Sequence, residues 1–183
     1  PEGDADLPEN PSAEQALIQG VEATSEWVVE ELSAPVHVVR TEGNVPHIYG
    51  ATREDVSFVF GFTMARDRYF MMDLARRLGR GTLSELLGAD AFAMDRENRG
   101  VGMLYVASQI EAALKGEQRG IVEAFASGIN RYIEEVAAGL AQAPSELEVA
   151  AGFLGASSSS ELMLPFAAID VAAMIAVVLY QTS

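Results

Sequence analysis

The sequence predicts a mainly helical α+β chain that begins with a β-hairpin. Two segments, Thr52-Arg-Glu-Asp55 and Thr82-Leu-Ser-Glu85, place a carboxylate three residues after a threonine. This spacing is typical of the first turn of a helix. Apolar residues recur at steps of three and four over longer stretches downstream, which also indicates helices. Strand-like alternation is confined to residues 35–49. The strands therefore come first and the helices follow.

The hairpin is predicted from two short alternating segments and the turn between them. Pro35-Val-His-Val-Val-Arg40 reads as a strand, Thr41-Glu-Gly-Asn44 as a turn, and Val45-Pro-His-Ile-Tyr49 as a second strand. Pro46 has no N–H to donate to a sheet, so the second strand lies at an edge or begins there. The first strand is the better candidate for the core.

A long helix is predicted over residues 53–78, capped by Thr52 and closed by Gly79 and Gly81. The second threonine motif begins a short helix that Gly88 ends as a left-handed residue. The apolar residues of the long helix recur at helical steps: Val56, Val59, Phe60, Thr63, Met64, Phe70, Met71 and Leu74.

Three further helices are predicted over residues 103–114, 117–138 and 166–180. The stretch 162–180 has a single charged residue, Asp170, which raises the question of a membrane span. Pro165 and Asp170 interrupt it, and no basic residue follows, so a buried helix is the stronger interpretation. A helix that is apolar all round must be covered on every side, which so small a chain can hardly do alone. The sequence therefore predicts a partner chain.

Composition limits the function further. The 183 residues include 12 Lys and Arg against 27 Asp and Glu, a net charge of −15, so clustered cations for nucleic-acid binding are not expected. The absence of Cys excludes a disulfide framework, a thiolate zinc site and a cysteine nucleophile in this chain. Nine acidic residues and no Lys or Arg fall within positions 1–32. We therefore predict an acidic N-terminal arm over 1–34, in which 13–32 can form a helix, and a domain over 35–183.

The densest cluster of charged residues lies on the long predicted helix. An anion site built from arginine side chains is one interpretation. The stronger one is a structural salt-bridge network that joins this helix to neighbours such as Asp95 and Arg99. The cluster consists of Asp67, Arg68, Asp73, Arg76 and Arg77.

Other candidate catalytic groups carry weak signals. Asp95 with Glu97 could form an acid–base pair, Asp170 could be a buried catalytic carboxylate, and His47 could be a general base. For each, a structural role is the stronger interpretation, as a buried hydrogen-bond acceptor, a helix first-turn partner or a satisfied histidine. No phosphate-binding loop, nucleophile elbow or zinc-ligand spacing is present.

Several motifs, taken together and in order, resemble the α chain of the penicillin acylase family over roughly residues 35–180. Each is weak alone, and their combined order and spacing is specific. They are Val39-Arg-Thr-Glu-Gly-Asn-Val-Pro-His-Ile-Tyr-Gly50, Asp55, Phe60-Gly-Phe62, Ala65-Arg-Asp-Arg68, Met72, Ala75-Arg-Arg77, Gly81, Leu83-Ser-Glu85, Gly88, Asp95 and Ala126-Ser-Gly-Ile-Asn130.

The resemblance implies an N-terminal nucleophile (Ntn) amidohydrolase, a zymogen that cuts itself into an α and a β chain. The catalytic serine would begin the β chain, with its own α-amino group as general base and the oxyanion hole on the same chain. No catalytic residue is then expected in this chain. The implied fold is a four-layer αββα sandwich, to which this mainly helical α chain contributes and which a separate β chain completes.

The resemblance also implies where this chain meets the substrate. The family's α chain presents a methionine, an arginine and a phenylalanine near the end of its last shared helix as one wall of the acyl pocket. The corresponding positions here are Leu179, Thr182 and Ser183, so the leucine is conservative and the other two depart from the pattern. One calcium ion is implied, bound mainly by the β chain. The glutamate with which the family's α chain binds calcium would lie beyond Ser183. No metal ligand is expected in this chain.

The function implied is support for hydrolysis of a side-chain amide in a β-lactam antibiotic or a related N-acyl compound. Two alternatives remain open: an N-acyl-homoserine lactone acylase subunit, and a non-catalytic helical interaction subunit. The implied partners are a β chain from the same precursor and a small N-acyl substrate, without nucleic acid or a membrane span. A periplasmic or secreted location is expected.

Overall fold

The computed structural model describes residues 26–182. A two-stranded antiparallel sheet precedes the helices, as the sequence predicts. The strands are β1, Val36–Arg40, and β2, Pro46–Gly50. The helices are α1, Arg53–Arg80; α2, Ser84–Leu87; α3, Phe92–Gly100; α4, Met103–Ala113; α5, Glu117–Ala137; α6, Ser145–Leu154; and α7, Ala168–Gln181.

The segment before the hairpin is not helical where the structure describes it. Residues 13–25 of the predicted helix over 13–32 lie outside the described residues. Residues 26–32 are not helical, so this part of the prediction is wrong. Contacts with the helices hold this segment instead. Arg66 lies over the Trp27 ring at 5.5 Å, and Ser33 donates from its backbone N and its Oγ to Asp55 at 2.9 and 2.6 Å. These tertiary contacts override a weak local helix propensity.

The hairpin has the predicted strands, and its turn places Gly43 and Asn44 at positive φ (79° and 61°). Val38 pairs with Ile48 in the register. The expectation that β1 is the more buried strand is wrong, because β2 has the larger share of partly buried residues. The reason is that β2 leads directly into α1 and lies against its first turns.

Helix α1 has the predicted start and ends two residues later than predicted. Thr52 Oγ1 accepts from the backbone N–H of Asp55 at 3.1 Å, which is the first half of a capping box. The Asp55 carboxylate accepts hydrogen bonds from the backbone N–H and the hydroxyl of Ser33. Gly81, at φ 65° and ψ 43°, ends the helix in the left-handed conformation that favours glycine. A non-helical residue, Arg68, interrupts the middle.

The second predicted capping box does not form. Helix α2 begins at Ser84 without a cap from its own segment, because the Asp95 carboxylate of α3 accepts from the backbone N–H groups of Leu83 and Ser84. Gly88 ends α2 at positive φ, but its ψ of −163° is not that of a left-handed helical residue. Helices α3 and α6 are further elements that the sequence analysis did not predict.

The core forms where α1 and α5 cross. At the crossing a Cβ on Gly128 would lie 1.9 Å from the Phe58 carbonyl oxygen, and one on Gly61 would lie 2.1 Å from that of Phe125. Only glycine permits this approach. The crossing leads into a core of buried large side chains: Tyr69, Met72, Ile129, Tyr132, Leu147 and Phe166.

Helix α7 packs against α4 and the end of α1 through small residues. Its buried face consists of Ala172, Ala173, Ala176 and Val177. A Cβ on Gly79 would lie 2.6 Å from the Ala173 carbonyl oxygen, so glycine brings the two backbones together. This packing fixes the direction of α7, and with it the position of the predicted substrate residues.

Candidate functional site

The predicted substrate residues lie at the carboxyl end of α7. Leu179 is 55% exposed and the Thr182 side chain is exposed in the last turn. Thr182 Oγ1 donates within that turn, to the carbonyl oxygens of Val178 and Leu179 at 3.1 and 3.2 Å. Ser183 lies outside the described residues. The structure thus places Leu179 and Thr182 together, with the threonine hydroxyl already bonded to its own helix.

Leu179 belongs to a larger apolar surface on α7. Ile175 is 39% exposed and Val178 is 60% exposed. Ile175 lies three residues before Val178 and four residues before Leu179. Residues at this spacing share one helix face. The face opposite the alanines is therefore apolar, and nothing within residues 26–182 covers it. Chemically it can form one wall of an acyl pocket or pack against another chain.

The amino end of α7 is anchored by Asp170. Its carboxylate is 2% exposed, accepts from the backbone N–H of Ala167 at 2.8 Å and pairs with Arg80 of α1. A carboxylate in the first turn satisfies exposed N–H groups and the helix dipole. This is the structural role that the sequence analysis preferred over a catalytic one, and both carboxylate oxygens are occupied by it.

The charged cluster of α1 is a buried ion-pair network around Asp73. The Asp73 side chain is fully buried and pairs with Arg76 and with Arg77, whose Nε lies 2.7 Å from Asp73 Oδ2. Arg77 also reaches Glu85 at 3.3 Å. A buried carboxylate needs such partners, because desolvation of an unpaired charge is costly. The structural interpretation is confirmed for both arginines.

Arg76 also joins α1 to the segment before α7. It donates to the carbonyl oxygens of Leu164 and Pro165 at 3.1 and 2.9 Å, and its guanidinium lies 4.1 Å from the centre of the Phe166 ring. Asn130 of α5 holds the same segment through two bonds with the Phe166 backbone, at 2.7 and 2.9 Å. The sequence analysis quoted Asn130 in a motif without assigning it a role.

Three details of the predicted network are wrong. Arg68 is exposed and, within residues 26–182, has no ion pair, so it does not join the network. Asp95 does not pair with the α1 arginines, and Arg99 donates from Nε to the Gly81 carbonyl oxygen at 2.7 Å. The physical reason is that Asp73, on the same helix, is closer to Arg76 and Arg77 than any carboxylate of α3.

Asp95 is a helix cap rather than half of an acid–base pair. Burial raises its pKa, but hydrogen bonds from the Ser84 hydroxyl and from the backbones of Ser84 and Leu83 outweigh this and hold the pKa below its ordinary value. A carboxylate so held stays ionised and is a poor proton donor near neutral pH.

The remaining sequence candidates do not form a catalytic or metal site in the described part of the chain. His47 is exposed, and its Nε2 lies 3.2 Å from the Thr41 hydroxyl. Within residues 26–182, no group of three or more His, Asp or Glu side chains is arranged to hold a metal ion.

Comparison with known proteins adds the family. A family model described as penicillin amidase matches residues 35–183. The chain belongs to the penicillin amidase family. Over 110 residues, 60% of this chain, it is 34% identical to penicillin G acylase of Escherichia coli. It is 38% identical over 56% of the chain to penicillin acylase 2 proenzyme of a Pseudomonas species, strain SE83.

Other relatives of this chain are named for a different activity. It is 32% identical over 61% of its length to the acyl-homoserine lactone acylase QuiP of Pseudomonas syringae pv. tomato. These matches cover only 13–14% of the relatives' own lengths, so the chain spans a small part of each.

A solved structure matches this chain over a larger share of its length than the sequence relatives do. The thermostable penicillin G acylase from Alcaligenes faecalis superposes with a TM-score of 0.62 at 28% identity, over 78% of this chain and 71% of that one. The mostly helical fold described above is therefore shared with that chain. No helix within residues 26–182 is long and apolar enough to cross a membrane.

Proposed function

We propose that this chain is the α subunit of a penicillin-acylase-type amidohydrolase and supports hydrolysis of a side-chain amide by a separate β chain. One observation carries the proposal. The chain spans only 13–14% of its curated relatives, yet a solved penicillin G acylase chain has nearly its own length, because one match covers 78% of this chain and 71% of that one. The name proenzyme of one relative supports processing into such pieces.

The described residues indicate which chain holds the catalytic groups in this proposal. Their four buried carboxylates all have partners: Asp55 accepts from Ser33, Asp73 pairs with arginines, and Asp95 and Asp170 accept from backbone N–H groups at helix starts. This leaves no nucleophile–base pair among these four carboxylates. The nucleophile in this proposal is the N-terminal serine of the β chain. Its α-amino group takes the hydroxyl proton, the serine oxygen attacks the amide carbonyl, and the amine leaves. Water then hydrolyses the acyl-enzyme.

The contribution of this chain to binding is the apolar end of α7. We assign Leu179 to the wall of the acyl pocket, and we keep Thr182 and Ser183 as the other two substrate-binding residues that the resemblance implies. Leu179 supports the assignment because it is more than half exposed on the apolar face of α7 that also carries Ile175 and Val178. The same exposed face can pack on the β chain, and the two roles are compatible along one helix. One calcium ion in this proposal is bound mainly by the β chain.

A second candidate function is hydrolysis of N-acyl-homoserine lactones. The identity to QuiP, 32% over 111 residues, favours it nearly as much as the penicillin acylase matches favour the first. The two substrates share an amide between an apolar acyl group and a polar ring compound. They differ in acyl shape, so the discriminating property is the depth and width of the acyl pocket.

The experiment is expression of the full open reading frame that encodes this chain. We expect two polypeptides, the second beginning with serine, and hydrolysis of a chromogenic phenylacetyl anilide or of N-acyl-homoserine lactones of six to twelve carbons. Replacement of that serine by alanine should abolish both processing and hydrolysis. Absence of amidase activity in a correctly processed protein would favour the third alternative, a non-catalytic helical interaction subunit. Cell fractionation tests the expected periplasmic or secreted location.

A further inference from the structure

The residues that lead into α7, 163–167, form neither helix nor strand, and we call them the α7 connector. Side chains from other helices hold its backbone. Arg76 of α1 donates to the carbonyl oxygens of Leu164 and Pro165 at 3.1 and 2.9 Å. Asn130 of α5 holds the next residue along the chain. The point at which α7 begins therefore depends on a few individual side chains.

Asn130 holds the backbone of Phe166 on both sides. Its Nδ2 donates to the Phe166 carbonyl oxygen at 2.9 Å, and its Oδ1 accepts from the Phe166 backbone N–H at 2.7 Å. Two bonds of this kind to one residue also occur between paired strands of an antiparallel sheet, where they fix the orientation of the backbone. Phe166 directly precedes Ala167, the N-cap of α7. Asn130 therefore fixes the backbone immediately before the helix.

The first turn of α7 is attached to both long helices. Asp170 in that turn pairs with Arg80 at the end of α1, and Asn130 attaches the residue before the N-cap to α5. The alanine face determines which side of α7 meets α1 and α4, and the two attachments determine its tilt. Loss of the α5 attachment leaves the pair with Arg80 as a pivot. Arg76 bonds carbonyl groups two and three residues before the N-cap, so it holds the connector farther from α7.

A small tilt at the start of α7 becomes a large displacement at its exposed end. Leu179 lies eleven residues after Ala168, which corresponds to about 17 Å along a helix. A tilt of about 5° at the first turn would then move Leu179 by about 1.5 Å. A misplacement of about 1 Å in a binding site can change a rate about 100-fold. The attachment at Phe166 can therefore control a pocket wall at the other end of the helix.

We propose that Asn130 is a positioning residue for acyl selection, which places α7, and with it Leu179, through the two bonds with Phe166. Asn130 acts through the connector and the helix rather than by contact with the acyl group. The proposal rests on the assignment of Leu179 to the wall of the acyl pocket. It adds to that assignment a residue of a different helix that sets the length of acyl group the enzyme prefers.

The test uses the full-length, processed enzyme and the ratio of kcat/KM between a short and a long straight-chain N-acyl anilide. Both substrates are measured on one preparation, so loss of active enzyme cancels from the ratio. Asn130→Asp keeps the size and the acceptor for the Phe166 N–H, but places a second acceptor against the Phe166 carbonyl oxygen. Asn130→Ser, whose shorter side chain cannot make both bonds, is the second variant. Ser57→Ala is the matched control, because Ser57 of α1 donates to the Ile121 carbonyl oxygen near the start of α5 at 2.8 Å.

Two results together support the proposal. Asn130→Asp changes the ratio by about tenfold or more, while Ser57→Ala lowers the thermal unfolding midpoint and leaves the ratio unchanged. In the double variant with Leu179→Phe, the two changes in the ratio do not multiply, because both alter the same wall. A purely structural role of Asn130 would lower the midpoint without moving the ratio.

A wild-type ratio in a processed Asn130→Asp or Asn130→Ser enzyme would overturn the proposal, and so would changes that multiply independently with that of Leu179→Phe. Failure of both Asn130 variants to yield processed enzyme, while Ser57→Ala succeeds, would also overturn it, because Asn130 would then serve folding alone. Leu179→Phe separates these outcomes from failure of the proposed function. If it shifts the ratio and the Asn130 variants do not, only the positioning role is lost. If it also leaves the ratio unchanged, the acyl-pocket assignment itself fails.

Discussion

Asp73 on α1 is a fully buried carboxylate that pairs with the guanidinium groups of Arg76 and Arg77. Such a group tolerates no partial loss of partners. Removal of Arg76 leaves only Arg77 to neutralise the Asp73 carboxylate. It also leaves the carbonyl oxygens of Leu164 and Pro165 without the hydrogen bonds that Arg76 donates. The network therefore acts as a brace between α1 and the segment that leads into α7.

We predict that Arg76→Met lowers the free energy of unfolding of the full-length protein by about 3–5 kcal/mol, because it breaks a buried ion pair. The measurement is urea unfolding together with the yield of processed protein. Arg119→Met is the control, since Arg119 and Glu123 form an exposed pair on α5 whose loss costs about 0.3–0.5 kcal/mol. The Michaelis constant of surviving Arg76→Met enzyme should be nearly unchanged. A large change in that constant at normal yield would identify Arg76 as a binding residue.

At the other end of the chain, Leu179 tests the acyl-pocket assignment. We expect Leu179→Phe to fill pocket volume and shift preference toward shorter acyl groups, with discrimination changed by about 1–3 kcal/mol, or roughly 10–200-fold. The measurement is kcat/KM across a series of acyl lengths. Leu154→Phe, an exposed leucine of α6, is the control. An unchanged profile in a normally processed Leu179→Phe enzyme would leave α7 a scaffold without a role in specificity.

Among the elements, α2 depends on a cap supplied from another helix. The Asp95 pKa is held below its ordinary value of 3.8, so its contribution to stability is complete above about pH 4 and is lost as the pH falls through the folded-state pKa. We predict that Asp95→Asn costs about 1–2 kcal/mol at pH 7 and that this cost shrinks toward pH 3. Urea unfolding at pH 7, 5, 4 and 3 measures it. Asp90→Asn, at an exposed position nearby, should show no such convergence.

The crossing of α1 and α5 gives a second test, because alanine substitutions at two glycines of α5 are expected to change stability in opposite directions. Gly128→Ala puts a methyl group against the Phe58 carbonyl, whereas a Cβ on Gly120 meets only the Glu54 side chain at 3.4 Å. Gly128→Ala should destabilise by about 1–3 kcal/mol or more, and Gly120→Ala should stabilise by about 0.5–1 kcal/mol. Urea unfolding of both variants compares them. Equal effects would mean that the helices are not in backbone contact at Gly128.

Sequence patterns predicted the elements whose signals are local. The hairpin turn at Gly43 and Asn44, the Thr52 cap and the helical steps of α5 all act within a few residues, and each is present. Other features arise from tertiary contacts between distant residues. The Asp95 cap joins residues 11 and 12 positions apart, and Ser33 joins Asp55 across 22. No local pattern indicates such contacts, which is why the second capping box and the helix over 26–32 were wrongly predicted.

The same limit applies to the candidate site. A buried, bonded Asp170 and a structural role for Arg76 follow from the physics of burying charge, and the structure agrees. The cavity lined by Arg80, Asn98 and Tyr105 could not be predicted, because it forms only where the end of α1 meets α3 and the start of α4. The substrate residues at Leu179, Thr182 and Ser183 rest on resemblance and stay predictions.

For the molecule as a whole, the decisive property is apolar surface that the described residues, 26–182, leave uncovered. Along α7, the exposed residues Ile175, Val178 and Leu179 form a continuous stripe, and Phe153 on α6 is 87% exposed. Contiguous apolar surface of this kind marks an interaction site in a folded protein and promotes association when it is left bare. The chain also has two strands whose outer edges are unpaired within residues 26–182. An isolated two-stranded hairpin is marginally stable in water.

We therefore predict that the 183-residue chain does not fold cooperatively on its own. Expressed alone, it should be insoluble or should keep helical far-ultraviolet circular dichroism without a sharp thermal transition. The reason is that, in the part of the chain that the structure describes, nothing covers the exposed face of α7 and no further strand pairs with the hairpin. Co-expression with the remainder of its reading frame should restore solubility and a cooperative transition, since burial of the α7 stripe is worth about 25 cal/mol per Å² of apolar surface. A sharp transition of the isolated, monomeric chain would show that its own core suffices, and the exposed face of α7 would then need no partner for stability.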